Sequence, residues 1–103
     1  KGLEIGCTGI ITATCNVTAE LSRKVYDDFF SDKKQTYNQK LCDVRKIFDQ
    51  FNLISGLHSY LTERDSIFKN VLPPLSLLDK KEKNKLIIDL KNLNFQPISK
   101  KVA

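Results

Sequence analysis

The sequence has 103 residues, of which 41% are hydrophobic, and this length and composition allow one small domain with a modest core. Its 17 Lys and Arg residues outnumber the 12 acidic residues and give a net charge of +5, but they are dispersed along the chain. A nucleic-acid surface usually concentrates basic residues on one face among aromatic residues, so nucleic-acid binding is not expected.

No run of about 18 apolar residues and no signal peptide is recognisable, so the sequence predicts a soluble, cytoplasmic protein without a membrane partner. The chain begins at Lys1 and contains no methionine, which indicates that further residues precede it in the translated protein.

The cysteines and the single histidine do not form a metal-binding pattern. Cys7, Cys15 and Cys42 have no CxxC spacing, and His58 has no second histidine to accompany it. We therefore expect no metal, no cofactor and no disulfide framework, and we expect the three cysteines to be reduced and buried.

The first predicted element is a buried β-strand over residues 6–17. This stretch is rich in β-branched residues, and its first residue, Gly6, is also suited to the C-terminal cap of a short helical turn at residues 3–5. A single strand cannot satisfy its own backbone donors and acceptors, so it requires neighbouring strands that the rest of the chain does not supply.

Two helices are predicted next. Thr18 is a candidate N-cap for a helix that ends near Phe30, and Ser31 or Asp32 could cap the helix that follows. The second helix carries apolar residues at alternating spacings of four and three, which predicts packing in a helical bundle, because the repeat is too short for a coiled coil. These residues are Tyr37, Leu41, Val44, Phe48 and Phe51.

The remaining elements are set by glycine, proline and a capping motif. Gly56 is expected to interrupt the helical pattern, with a short helix then running to about Arg64 and a turn at residues 67–68. An extended stretch is expected at the two prolines, 73–74. Asp79 has the spacing of a capping box, which predicts a final helix from Lys80 to about residues 92–94, followed by a frayed tail over 98–103.

No catalytic set can be assembled from these residues. The sequence lacks a glycine-rich phosphate loop, a Ser-His-Asp set and paired carboxylates near an apolar pocket. His58 is expected to be structural or solvent-facing, and Lys24 and Lys46 are expected to be surface charges on helices. We therefore predict no catalytic residue within this chain.

The predicted strand and the elements after it resemble one enzyme family. Residues 9–17, with the sequence GIITATCNV, resemble the last barrel strand of the dihydrodipicolinate synthase and N-acetylneuraminate lyase family, which has the pattern G-V-I-S-x-T-A-N-V. The region of Asp32 resembles the short break after the next helix of that family. Residues 52–61 are similar to its helix pair, and 72–75 together with 79–90 to its proline step and terminal helix.

This resemblance implies a (β/α)8 TIM barrel that acts on pyruvate or another 2-keto acid through a lysine Schiff base. The chain would be a single segment, 1–103, from the C-terminal part of such a barrel. Residues 1–30 would form the last βα unit and 31–103 the C-terminal helical extension, so the isolated chain would be mainly α. The catalytic lysine would lie before Lys1, and the segment alone would be inactive.

The resemblance assigns one substrate-binding residue. Ile11 matches the family position whose backbone carbonyl faces the pyruvate site. Ala13 falls where sugar-acid lyases often carry a serine, which argues against sialic acid as the substrate, and Cys15 replaces a small alanine.

A strand without neighbours must be covered or stay unstructured, so we expect a homo-oligomer. Two alternatives use the basic helices instead. One is a free-standing basic helical module that binds protein or nucleic acid, and the other is a membrane-surface helix protein. Acidic residues flank the apolar helix faces, such as Asp27 and Asp43, and these disfavour an anionic membrane.

Overall fold

The computed structural model describes residues 1–95, and within that range the chain is helical, with no β-strand. This confirms the prediction of a mainly α chain. The elements are a 3-10 turn at Leu3–Ile5, α1 (Cys15–Phe30), α2 (Asn38–Phe48), α3 (Leu53–Leu61), a 3-10 turn at Ser66–Lys69, and α4 (Lys80–Asn92).

The hydrophobic core lies between α2, α3 and α4. Val44 and Phe48 of α2 are fully buried, and the Phe48 ring packs edge-to-face on Tyr60 with the ring centroids 5.8 Å apart. The apolar stripe of α2 is thus used inside a bundle, as predicted. The buried apolar residues are Val17, Val44, Phe48, Leu57, Tyr60, Leu61, Leu86, Leu90 and Phe95.

The start of α4 has the predicted capping box. The Asp79 carboxylate accepts a hydrogen bond from the backbone amide of Glu82 at 2.8 Å, and the Glu82 carboxylate accepts one from the Asp79 amide at 3.3 Å. Two amide groups that the helix itself cannot pair are therefore satisfied, and α4 begins at Lys80 as expected. Its end at Asn92 also agrees with the prediction.

The role predicted for Gly56 is wrong, because this glycine lies inside α3. The helix begins after Asn52, whose side chain accepts a hydrogen bond from the Ser55 amide at 3.1 Å. A Cβ on Gly56 would lie 3.4 Å from Cδ1 of Phe48, so the ring packs directly against α3 at this position. The helix ends at Leu61 rather than near Arg64.

The predicted start of α1 is also corrected. The helix begins at Cys15 and is kinked at Thr18, whose φ of −116° and ψ of 17° are not helical. The Thr18 hydroxyl does not cap α1, because it donates a hydrogen bond to the carbonyl oxygen of Thr14 at 3.1 Å. The end of α1 at Phe30 agrees with the prediction.

Two connections complete the described chain. Helix α2 follows Tyr37 and not the predicted caps Ser31 or Asp32. The 3-10 turn at Ser66–Lys69 confirms the predicted turn. The extended stretch predicted at residues 73–74 is wrong, because these residues form a turn in which the Leu75 amide donates a hydrogen bond to the Leu72 carbonyl at 3.0 Å. The tail predicted to fray, 98–103, lies outside the described residues.

Candidate functional site

Residues 6–14 do not form the predicted buried strand. Gly6 has a φ of +94° and its amide donates to the Leu3 carbonyl at 3.1 Å, which confirms the glycine cap of the preceding turn. Beyond it, among the described residues, no backbone amide between Thr8 and Thr12 donates to a backbone carbonyl. The segment is irregular because the described residues offer no neighbouring strand with which it could pair.

Ile11, the residue assigned to substrate binding by the resemblance, lies in this irregular segment. Its side chain is fully exposed, and that of Ile10 is 70% exposed. Ala13 is exposed as well. No structural feature of the described residues tests the proposed contact of the Ile11 carbonyl with substrate, so this role stays a prediction.

The segment joins α1 through a cluster of small polar side chains. The hydroxyl groups of Thr12 and Thr14 lie 3.0 Å apart, and the Asn16 side-chain amide donates to the Ala13 carbonyl at 2.8 Å. Thr14 and Thr18 are both buried. These local hydrogen bonds compete with regular helix geometry, which accounts for the kink at the start of α1.

A cavity of about 540 Å³ lies between the N-terminal segment, one face of α1 and the start of α2. Its wall is mainly apolar and includes Leu3, Ile10, Val25, Tyr26, Phe29 and Leu41. Sequence analysis did not predict this cavity, because it depends on how the irregular segment folds back. A partial signal was present, since Val25 and Phe29 are apolar residues four positions apart and therefore lie on one face of α1.

Among the described residues, the polar groups that line the cavity do not include a pair suited to general acid-base catalysis. Arg23 forms an ion pair with Asp27 at 3.0 Å, and its guanidinium lies 5.0 Å from the centre of the Tyr26 ring. The buried Nε2 of Gln35 has no hydrogen-bond partner in the described part of the chain. Among the residues that the structure describes, Lys1 is the one lysine in the cavity wall, and it is exposed, so these residues do not supply the desolvated lysine that a Schiff base requires.

The three cysteines are free, as expected, but they are not buried. Cys7 and Cys42 are exposed and Cys15 is half-buried. The Cys15 Sγ lies 3.2 Å from the Ser22 hydroxyl, and both residues line the cavity. Within residues 1–95, no group of three or more His, Cys, Asp or Glu side chains could hold a metal ion.

His58 and Tyr60 serve the packing of α3. The Nδ1 of His58 donates a hydrogen bond to the Phe68 carbonyl at 2.9 Å, which ties the 3-10 turn at Ser66–Lys69 to α3. Tyr60 is 5% exposed, its hydroxyl has no partner in the described region, and burial raises its pKa to about 12. Neither residue lines the cavity.

The comparisons with known proteins identify the family. The sequence model of the Dihydrodipicolinate synthetase family matches residues 1–93, and the chain belongs to that family. A search of curated proteins and a search of solved structures found no match. None of the helices within residues 1–95 is long and apolar enough to cross a membrane.

Proposed function

We propose that this chain is the C-terminal segment of an aldolase or synthase that acts on pyruvate or another 2-keto acid through a lysine Schiff base. The catalytic lysine belongs to residues outside this chain, so the chain alone is inactive. The match to the family model over residues 1–93 supports the relationship. The single observation that carries the proposal is the exposure of Ile10 and Ile11 in a segment whose amides from Thr8 to Thr12 find no backbone acceptor within residues 1–95.

Two exposed isoleucines in one segment indicate a surface that another part of a protein covers. Burying an isoleucine side chain stabilises a fold by about 1.5–3 kcal/mol, and in a central strand the backbone amides are also hydrogen-bonded. In a barrel, residues 9–14 would have a strand on either side, which would bury their side chains and pair their amides. The carbonyl of Ile11 would then face the pyruvate site at the carboxyl end of the barrel.

The position of the core supports a division at about residue 30. Among the described residues, the buried apolar side chains other than Val17 lie beyond this point, in α2, α3, α4 and Phe95. Residues 31–95 therefore contribute most of the core, as expected of a helical extension. Residues 1–30 bury little, as expected of a βα unit taken away from its barrel.

A homo-oligomer is part of the proposal. Without a barrel, a second copy of the chain could cover the exposed segment at residues 9–14. Size-exclusion chromatography with light scattering tests this part. A monomer whose amides in residues 9–14 are protected from hydrogen exchange would contradict it.

The alternative of a free-standing helical interaction module is not supported. It was motivated by the apolar stripe from Tyr37 to Phe51 together with the net charge of +5. Val44 and Phe48 are instead fully buried in the core of this chain.

Borohydride trapping tests the Schiff base. The polypeptide translated from the complete reading frame and the 103-residue chain are each treated with pyruvate and sodium borohydride, and the lysines are mapped by mass spectrometry. We expect a reduced adduct on a lysine that precedes Lys1 and none on the 103-residue chain. An adduct on a lysine within these residues would overturn the placement of the catalytic group, and no adduct on the complete polypeptide would overturn the Schiff-base function.

A further inference from the structure

The connection between α3 and α4 is long and rich in apolar residues. It covers residues 62–79 and contains the 3-10 turn at Ser66–Lys69. Seven of the ten residues 66–75 are apolar, in the sequence SIFKNVLPPL. Long connections in compact domains are uncommon and are usually functional, so this one is a candidate interaction surface.

Two apolar side chains of this connection are exposed to solvent. Ile67 is 63% exposed and Leu72 is 82% exposed. The hydrogen bond from His58 to the Phe68 carbonyl fixes the turn that carries Ile67 on the surface of α3. Ile54, which lies one helical turn before His58 on the same face of α3, is 48% exposed. Exposed apolar side chains grouped in this way indicate a surface that another protein covers.

Two opposite charges lie symmetrically on either side of Ile67. Asp65 precedes it by two residues, Lys69 follows it by two residues, and both are exposed. Neither side chain forms an ion pair within residues 1–95. The Asp65 Oδ1 accepts a hydrogen bond from the Ile67 amide at 3.0 Å, which fixes the carboxylate beside Ile67. The pattern Asp-x-Ile-x-Lys is therefore complementary to a reversed copy of itself.

We propose that this surface joins two copies of the chain around a two-fold axis at Ile67. In such a contact, a residue i that meets residue j of the other copy is accompanied by the reverse pair. Asp65 of each copy then pairs with Lys69 of the other, and the two Ile67 side chains pack together on the axis. The ion pairs set the orientation, and burial of the isoleucines supplies the stabilisation.

The charges of this surface favour a second copy over other partners. A nucleic acid or an anionic membrane requires a surface of mainly positive charge, whereas Asp65 and Lys69 balance each other. The contact is small, which predicts a weak dimer that forms at high protein concentration. It lies outside residues 9–14, and it does not depend on the proposed aldolase function.

The test uses the Ile10→Lys/Ile11→Lys variant as its background, because these changes remove the exposed isoleucines of the other proposed contact. Sedimentation velocity over a range of protein concentrations measures the dissociation constant of the dimer. Lys69→Asp or Asp65→Lys in this background places like charges opposite each other twice. We expect each change to raise the dissociation constant at least about tenfold.

Mixing these two charge-reversal variants decides whether Asp65 and Lys69 meet across the axis. One copy then carries two acidic residues and the other two lysines, so both pairs again have opposite charges, and we expect a mixed dimer. Lys91→Asp, at an exposed lysine of α4, is the matched control and should change the dissociation constant by less than about twofold. Circular dichroism confirms that each variant keeps the helical content of the background.

Three results would overturn this contact. The first is a background variant that stays monomeric at every concentration. The second is a dissociation constant for Lys69→Asp that equals that of the Lys91→Asp control. The third is a mixture of the two charge-reversal variants that remains monomeric.

Discussion

The side-chain oxygen of Ser59 accepts a hydrogen bond from the backbone amide of Leu78, with the two atoms 2.9 Å apart. Ser59 lies in the last turn of α3 and is 1% exposed, and Leu78 immediately precedes the Asp79 cap of α4. A side chain of α3 thus satisfies the amide just before α4 begins. This contact fixes the end of the long connection between the two helices on the surface of α3.

We expect Ser59→Ala to destabilise the chain by about 0.5–1.5 kcal/mol, because the half-buried Leu78 amide would lose its hydrogen-bond acceptor. Urea unfolding followed by circular dichroism measures the loss. The control is Ser76→Ala in the same connection, where the serine is exposed, and it should change the free energy of unfolding by less than about 0.5 kcal/mol. Equal losses from the two variants would show that the contact does not contribute.

Tyr60→Phe should stabilise the chain at neutral pH by about 1 kcal/mol, because it removes a buried hydroxyl without a hydrogen-bond partner in the described residues. The ring and its contact with Phe48 would remain. Thermal and urea unfolding of the variant and the parent chain measure this difference. A loss of stability would indicate that the hydroxyl makes a favourable interaction.

The same tyrosine predicts a dependence of stability on alkaline pH. Burial raises its pKa from 10.0 to about 12, so the folded state holds the proton that the unfolded state begins to lose near pH 10. The contribution is fully present below pH 10 and is lost as the pH rises to about 12. Urea unfolding between pH 8 and about 12 should therefore show a decline in the free energy of unfolding that Tyr60→Phe reduces. An equal decline in Tyr60→Phe and the parent chain would show that another group is responsible.

Gly56→Ala should be tolerated and should raise the free energy of unfolding by up to about 1 kcal/mol, because alanine favours helix over glycine. The new Cβ would lie 3.4 Å from Phe48, which is an ordinary contact. Gly56→Leu would place additional atoms against that ring and should lower the free energy of unfolding by about 1–3 kcal/mol. Gly9→Ala, in open space, is the control, and its stability should match the parent. A large loss in Gly56→Ala would mean that the ring cannot accept any side chain there.

Ile11→Lys should leave the 103-residue chain as stable as the parent, because the isoleucine side chain is already exposed. In the complete polypeptide, where we propose that Ile11 lies in a barrel strand, the same change should abolish the trapping of pyruvate by borohydride. Ile5→Lys is the control, since Ile5 is 81% exposed and lies outside residues 9–17. Equal trapping by both variants would remove Ile11 from the proposed site.

The elements that sequence analysis predicted correctly depend on neighbours along the chain. The capping box at Asp79 and the glycine cap at Gly6 are formed by residues within four positions of one another. The apolar spacing of α2 likewise predicted its buried face, including Val44 and Phe48. Local geometry and helical periodicity were sufficient in these cases.

The incorrect predictions concern features that distant residues decide. Gly56 was interpreted as a break, but the Phe48 ring from another helix determines what it does. The strand at residues 9–14 has the composition of a buried strand, and composition does not supply a neighbour with which to pair. The cavity could not be predicted for the same reason, since its wall combines Ile10, α1 and Leu41.

The concentration of the core in α2, α3 and α4 determines which substitutions would reduce the stability of this protein. Substitutions among residues 1–11, none of which is buried, would barely alter thermal stability, so proteases that clear unfolded chains would spare the altered protein. Such lesions would accumulate silently in cells and would be detected only by an assay of assembly or turnover.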